Sequence, residues 1–116
     1  MTSISAQCAV DYKVTQQITL TNEAGFLAIP VPTDRNKDKY VQVIGFSLVP
    51  SASGTLSFIS GNSGNTDNDI VLWATSVTSG VRLDFIGDFV FCERNRGLKI
   101  SANGSLGNLT LITKYV

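Results

Sequence analysis

Apolar and polar residues alternate one by one along much of this chain, and among regular structures only a β-strand with one buried face matches a period of two. Val10, Tyr12 and Val14 alternate with Asp11 and Lys13, and beyond Gln16-Gln17 the apolar Ile18 and Leu20 alternate with Thr19 and Thr21. Asn22-Glu23-Ala24-Gly25 reads as a turn. Phe26 to Val31 is a short extended segment, and Pro30 and Pro32, which have no N–H to donate, imply that it sits at a sheet edge or ends in a loop. Thr33 to Lys39 is a charged loop. Tyr40 to Leu48 is the strongest strand, β-branched and aromatic, with Gly45 marking a bulge or a close approach. After the turn Pro50 to Gly54, Thr55 to Ile59 is expected to return as its antiparallel partner. Ser60 to Asn68 reads as a long surface loop, Ile70 to Trp73 as a strand, and Thr75 to Gly80 as a second loop. Val81 to Phe85 and Phe89 to Cys92 flank Gly87, Glu93 to Gly97 is a turn, and Leu98 to Ile100 and Leu109 to Val116 are the last strands, with Asn103-Gly104 between them.

About eight or nine short strands at turn spacing predict an all-β fold, an antiparallel β-sandwich or small barrel. No window places apolar residues at i, i+3, i+4 and i+7 between helix caps. The 116 residues are the size of one domain, spanning 1–116. Residues 1–7 are small, polar and uncharged, which fits either an extended N-terminal arm lying across a neighbouring subunit or a free tail.

Composition narrows the function. Hydrophobic residues at 43% are enough for one core, whereas charged residues at 16% fall below the roughly 25% of an average globular protein. Nine basic residues balance nine acidic ones, so the chain lacks the basic footprint that binds nucleic acid and has little self-repulsion to keep copies apart. No run approaches the roughly 20 apolar residues that span a bilayer, and Met1 to Ala6 does not read as a signal peptide. No nucleic-acid or membrane partner is expected.

Catalytic chemistry finds little to work with. The sequence has no histidine, which removes the commonest general acid–base, the Ser-His-Asp and Cys-His arrangements, and most catalytic zinc sites. Cys8 and Cys92 follow no metal or redox spacing and read as buried, inert thiols rather than a disulfide. Asp67 and Asp69 could hold calcium but read better as a solvated turn. Asp34, Asn36 and Asp38 begin like an EF-hand loop, yet Lys39 stands where glycine is required and Arg35 and Lys37 oppose a cation. Asp84 and Asp88 would act as an acid–base couple only in a shared cleft. Gly54, Gly61, Gly64 and Gly80 make no phosphate cradle. Trp73 and Tyr12 could stack on a sugar, but a Trp inside Ile70-Val71-Leu72-Trp73 belongs to a core or an interface. The sequons at Asn103 and Asn108 matter only in a secreted protein. The expectation is no catalytic residue, no cofactor, no metal, and no enzyme.

From Tyr40 onward the order of features resembles the head-decoration (cement) proteins of tailed bacteriophages. Val41 to Leu48 is followed by a short turn and Gly54-Thr55-Leu56-Ser57-Phe58, and a Gly/Ser/Asn/Thr loop leads to the next apolar strand. Gly97-Leu98-Lys99-Ile100 then leads into Gly107 to Val116, which closes the chain on Tyr-Val. The resemblance implies a jelly-roll-like sandwich, made in the host cytoplasm, that sits on the capsid surface of the virion. Its partners would be the major capsid protein and further copies of itself in a homotrimer, and it would brace neighbouring capsid subunits. It carries over no site residues. The other function open to such a sandwich is a carbohydrate- or receptor-binding module of a phage tail or fibre. Ser60 to Asn68 and Ser76 to Gly80 contain no aromatic residue, which favours the decoration protein.

Overall fold

The computed structural model describes residues 13–22, 24–62 and 65–116. They form eight strands: β1 (Lys13–Thr21), β2 (Phe26–Ile29), β3 (Val41–Leu48), β4 (Gly54–Asn62), β5 (Asn65–Val77), β6 (Leu83–Ile86), β7 (Gly97–Asn103) and β8 (Ser105–Tyr115). The first sheet has the order β1-β8-β3-β6 and the second β2-β7-β4-β5, with every pairing antiparallel. This is an antiparallel β-sandwich with the strand order of a jelly roll, as the alternation and the resemblance led one to expect. The only helical piece among the described residues is a 3₁₀ turn over Asp34–Asn36, inside the charged loop.

The inward faces fill one core. Leu20, Val41, Val43, Phe46, Leu48, Leu109 and Leu111 come from the first sheet, and Leu56, Phe58, Leu98, Ile100 and Ala102 from the second. Each large apolar side chain removed from water contributes about 1.5–3 kcal/mol, so this interior outweighs any single surface contact. An aromatic cluster ties the sheets together. The Phe46 ring lies 5.4 Å from Phe58 and 5.4 Å from Trp73, both on the second sheet, and 5.3 Å from Phe89.

Several local expectations give way to tertiary pairing. Thr55 to Ile59 does not return alongside β3. Val49 to Ser53 arches across the sandwich and delivers β4 into the other sheet, anchored by buried Pro50, whose carbonyl accepts from Gly80 N–H at 2.8 Å, and by Ser51 N–H donating to the Leu106 carbonyl at 2.9 Å. The loop expected over Ser60 to Asn68 is mostly strand, because β4 runs to Asn62 and pairs with β5 from Asn65. Strand β5 likewise continues through Thr75 and Ser76 to Val77, so the second loop is shorter than its Ser/Thr composition suggests. Phe89 to Cys92 forms no full strand. It runs beside β3 beyond the end of β6, held by Val43 N–H to Val90 O at 2.8 Å, Cys92 N–H to Val41 O at 2.8 Å and one bridge from Phe91 to Gln42.

Strand β1 passes unbroken through Gln16, which stands opposite Leu111 and sends its side-chain amide to the Ala28 carbonyl at 3.4 Å. That polar residue in an inward position is what divides β1 in two when the sequence is read by alternation. Gly45 sits where the β3–β8 register slips between Val43 and Gly45, a bulge as expected.

Candidate docking surface

Directly opposed residues of an antiparallel sheet share a face, so register assigns the outer face of the first sheet row by row. One row runs Lys13, Lys114, Gln42, and through the bridge to Phe91. The next runs Thr15, Ile112, Gly45, Ile86, and a third Gln17, Thr110, Ser47, Asp84. The middle row is apolar at its centre, and Ile86 is 88% exposed. Gly45 has no side chain between Ile112 and Ile86. A Cβ built there would stand 3.3 Å from Ile112 Cδ1 and 3.3 Å from the Phe85 carbonyl, so glycine lets the Ile112 side chain lie close against the β3 backbone.

Two shallow depressions adjoin along this row. One of about 200 Å³ lies over Ser47, Asp84, Ile86, Thr110 and Ile112, and one of about 400 Å³ over Lys13, Ile44, Ile86, Asp88, Ile112 and Lys114. Charge is separated across them. Lys13 and Lys114 lie on the β1–β8 side, and Asp84 and Asp88 on and just beyond β6. The two described ion pairs are Arg82–Asp84 and Lys99–Asp69, so neither Lys13, Lys114 nor Asp88 is paired among the described residues. Asp84 accepts from Ser47 Oγ at 2.6 Å and from Arg82 at 3.3 Å, and these partners, Ser47 first, hold its carboxyl below its ordinary range.

The other residues singled out in the sequence take structural places. Asp69 is not a loop ligand: it lies on β5 and pairs with Lys99 Nζ at 2.7 Å, the lysine side chain being only 4% exposed. Asp34 and Asp38 are exposed, and Asp38 accepts from Asn95 at 3.3 Å. Asp84 and Asp88 share an outer sheet surface, not a cleft. No group of three or more His, Cys, Asp or Glu among the described residues could hold a metal ion. Among the described residues no helix is long and apolar enough to cross a membrane. Trp73 packs 5.3 Å from Phe58 and 5.1 Å from Phe89, which commits its ring to the aromatic cluster. The expectations for residues 1–7, Cys8 and Tyr12, and for any pairing of Cys8 with Cys92, fall outside the described residues.

Cys92 is fully buried, and burial pushes its thiol from an ordinary 9.0 up to about 12, against a smaller opposing effect of its hydrogen bond with Ser60. Because the folded value lies above the unfolded one, the associated stability is intact below pH 9 and is lost as pH climbs toward 12. One proton of linkage corresponds to about 1.4 kcal/mol per pH unit. Urea titrations between pH 8 and 11 should show Cys92→Ala losing less stability per unit than the parent, and native Cys92 should resist iodoacetamide at pH 8 until urea unfolds the chain. Equal slopes, or prompt alkylation of Cys92 in the native protein, would contradict this.

Sequence reading did not find the docking face. Ile44, Ile86 and Ile112 sit in three separate segments, each an ordinary strand residue by itself. Only register brings them together with the lysines and aspartates.

No family model matches the chain, and no curated protein matches it. Among solved structures, a protein of Bacillus endospore appendages, described as a family of disulfide-linked pili, is similar at 17% identity, with a TM-score of 0.48 over 87% of this chain and 80% of that one. A likeness at that level assigns neither a family nor a function. The decoration-protein resemblance is carried by the sequence features alone.

Proposed function

We propose that this chain is a structural protein of a phage virion, a head-decoration protein that stabilises the capsid by binding between capsid subunits and works through covered surface rather than bond chemistry. The observation that carries the reading is the outer face of the first sheet. A side chain as apolar as Ile86 stands 88% exposed in the same row as Ile112, on a sheet whose other face is already packed. Cohesion between proteins comes from burying such area with complementary shape. A zero net charge suits a protein crowded among its own copies. The resemblance of residues 40–116 to decoration proteins supplies the identity of the assembly, since the fold by itself is shared by many functions.

The test is co-sedimentation of the purified chain with heads of the phage that encodes it, stripped of their decoration, followed by heating. Saturable binding that raises the temperature of head disruption is the expected result. A chain that stays in the supernatant, or binds oligosaccharides on an array while ignoring heads, would overturn the reading in favour of a tail or fibre module.

A further inference from the structure

We infer that the outer face of the first sheet is the interface of a twofold homodimer, and that its occupant is the same face of a second copy. This gives the face that carries the capsid reading a different occupant, a second copy of the chain.

The face is complementary to itself. Across the order β1-β8-β3-β6, the basic side is at β1 and β8, the acidic side is at β6, and the apolar residues lie between. A twofold axis parallel to the strands, placed between β8 and β3, lays β1 over the partner copy's β6 and β8 over its β3. Residues of one row then meet residues of the same row. Ile112 comes over position 45 of the other copy and packs beside that copy's own Ile112, Ile86 comes over Thr15, and the basic corner comes over Asp88, each contact made twice. Asp88 stands at the level this requires, because Gly87 N–H bonds the Ile44 carbonyl at 2.9 Å and Phe89 N–H the Val43 carbonyl at 3.0 Å, next to the row of Gln42 and Lys114. Sheets stacked face to face sit about 10 Å apart and some 30° from parallel, a spacing that interdigitated isoleucines fill. An isologous contact of this kind pairs each residue with its counterpart's neighbour and closes at two copies.

A partner of one charge would be repelled by half of this face. A purely apolar partner would leave Lys13, Lys114 and Asp88 buried without counter-charges, at a cost. A second copy rotated by half a turn brings each charge its opposite.

Sedimentation equilibrium of the whole chain, with circular dichroism as the check on folding, tests this. The parent should be a dimer. Ile86→Asp, at a fully solvated position of the monomer, should weaken dimerisation at least about 30-fold, as for an interface hot spot, without altering the spectrum. The double variant K13E/K114E and the single variant D88K should each weaken it about tenfold or more, since each sets like charges against each other twice. An equimolar mixture of those two should recover parental affinity as a heterodimer, because both charge contacts are then restored. A monomeric parent, a closed trimer of the kind the decoration-protein resemblance implies, or a mixture no tighter than its components would overturn the inference. A dimer that ignores phage heads would preserve it and remove the capsid reading, and a monomer that binds heads would do the reverse.

Discussion

Replacing Phe46 by alanine lowers the free energy of unfolding by about 3–5 kcal/mol, as for a large ring truncated in a packed core. Phe46 is 4% exposed and stands on β3 at the centre of the aromatic cluster. Its ring packs edge-on against Phe58 at an interplanar angle of 80°, tilts against Trp73 at 47° and stacks on Phe85 at 23° with centroids 6.2 Å apart. Phe58 and Trp73 belong to the second sheet, so removing this ring opens a cavity between the layers and also loses pair geometry worth roughly 0.5–1.5 kcal/mol per aromatic contact. Close-packed neighbours relax only partly into such a void. Against a total stability of about 5–15 kcal/mol for a domain of this kind, the variant should melt roughly 10–20 °C lower. Phe46→Leu, which keeps most of the volume, should cost less than about 1.5 kcal/mol. Urea midpoints at an unchanged slope would measure both. A loss below about 1 kcal/mol for alanine would mean that the sheets are not joined through this ring.

The second large effect lies on the opposite side of the second sheet from the core. Lys99, on β7, is 3% exposed, and its ammonium donates to Asp69 on β5 at 2.7 Å, across β4. The pair fits because β4 carries Gly61 beneath it. A Cβ there would collide with Asp69 Oδ1 and stand 2.9 Å from Lys99 Cδ. Asp69→Ala removes the carboxylate 2.7 Å from a buried ammonium and should cost up to about 3–5 kcal/mol. Lys99→Met should cost less, since the Asp69 side chain is 18% exposed against 4% for the lysine and can recruit water. The double variant Asp69→Ala/Lys99→Met should recover much of the single loss, because methionine keeps the apolar stem and removes the charge that needed a partner. A double-mutant cycle by chemical denaturation measures this coupling. Additive losses would show that the two groups do not act as a pair.

Neither effect follows from the sequence in the same way. Phe46 has the parity of Gln42 and Ile44 and turns inward with Val41 and Val43 only because the register slips at Gly45, and nothing local says that its neighbours are Phe58, Trp73, Phe85 and Phe89. Lys99 reads as an exposed residue of a short strand, and Asp69 as part of a polar loop. They meet only because β5 and β7 flank the same central strand, which no spacing in the sequence records. The loop reading of Ser60 to Asn68 failed for a related reason. Gly, Ser and Asn mark turns when nothing else pairs with them, but here a hairpin partner satisfies their backbone, and Ser60 is fully buried on the core side opposite Leu98.

The docking face illustrates the same limit. Its apolar members are Ile44 at a bulge, Ile86 at the end of a four-residue strand and Ile112 in the last strand. A single exposed isoleucine is unremarkable in a sequence, whereas three converging around Gly45 with opposite charges at either side form a surface.

The chain by itself determined that it would be all-β, because alternation between immediate neighbours suits only a strand with one buried face. It also marked the slip of register at Gly45 and the edge strand β2, which ends at Ile29 just before Pro30, since proline and glycine act through their own backbone. Which strand lies beside which was decided only by closing the sandwich: β3 and β4, adjacent in sequence, ended in different sheets, and β1 came to rest against β8. Pairing joins segments many residues apart, and its energy appears only when both layers are in place to shed water together.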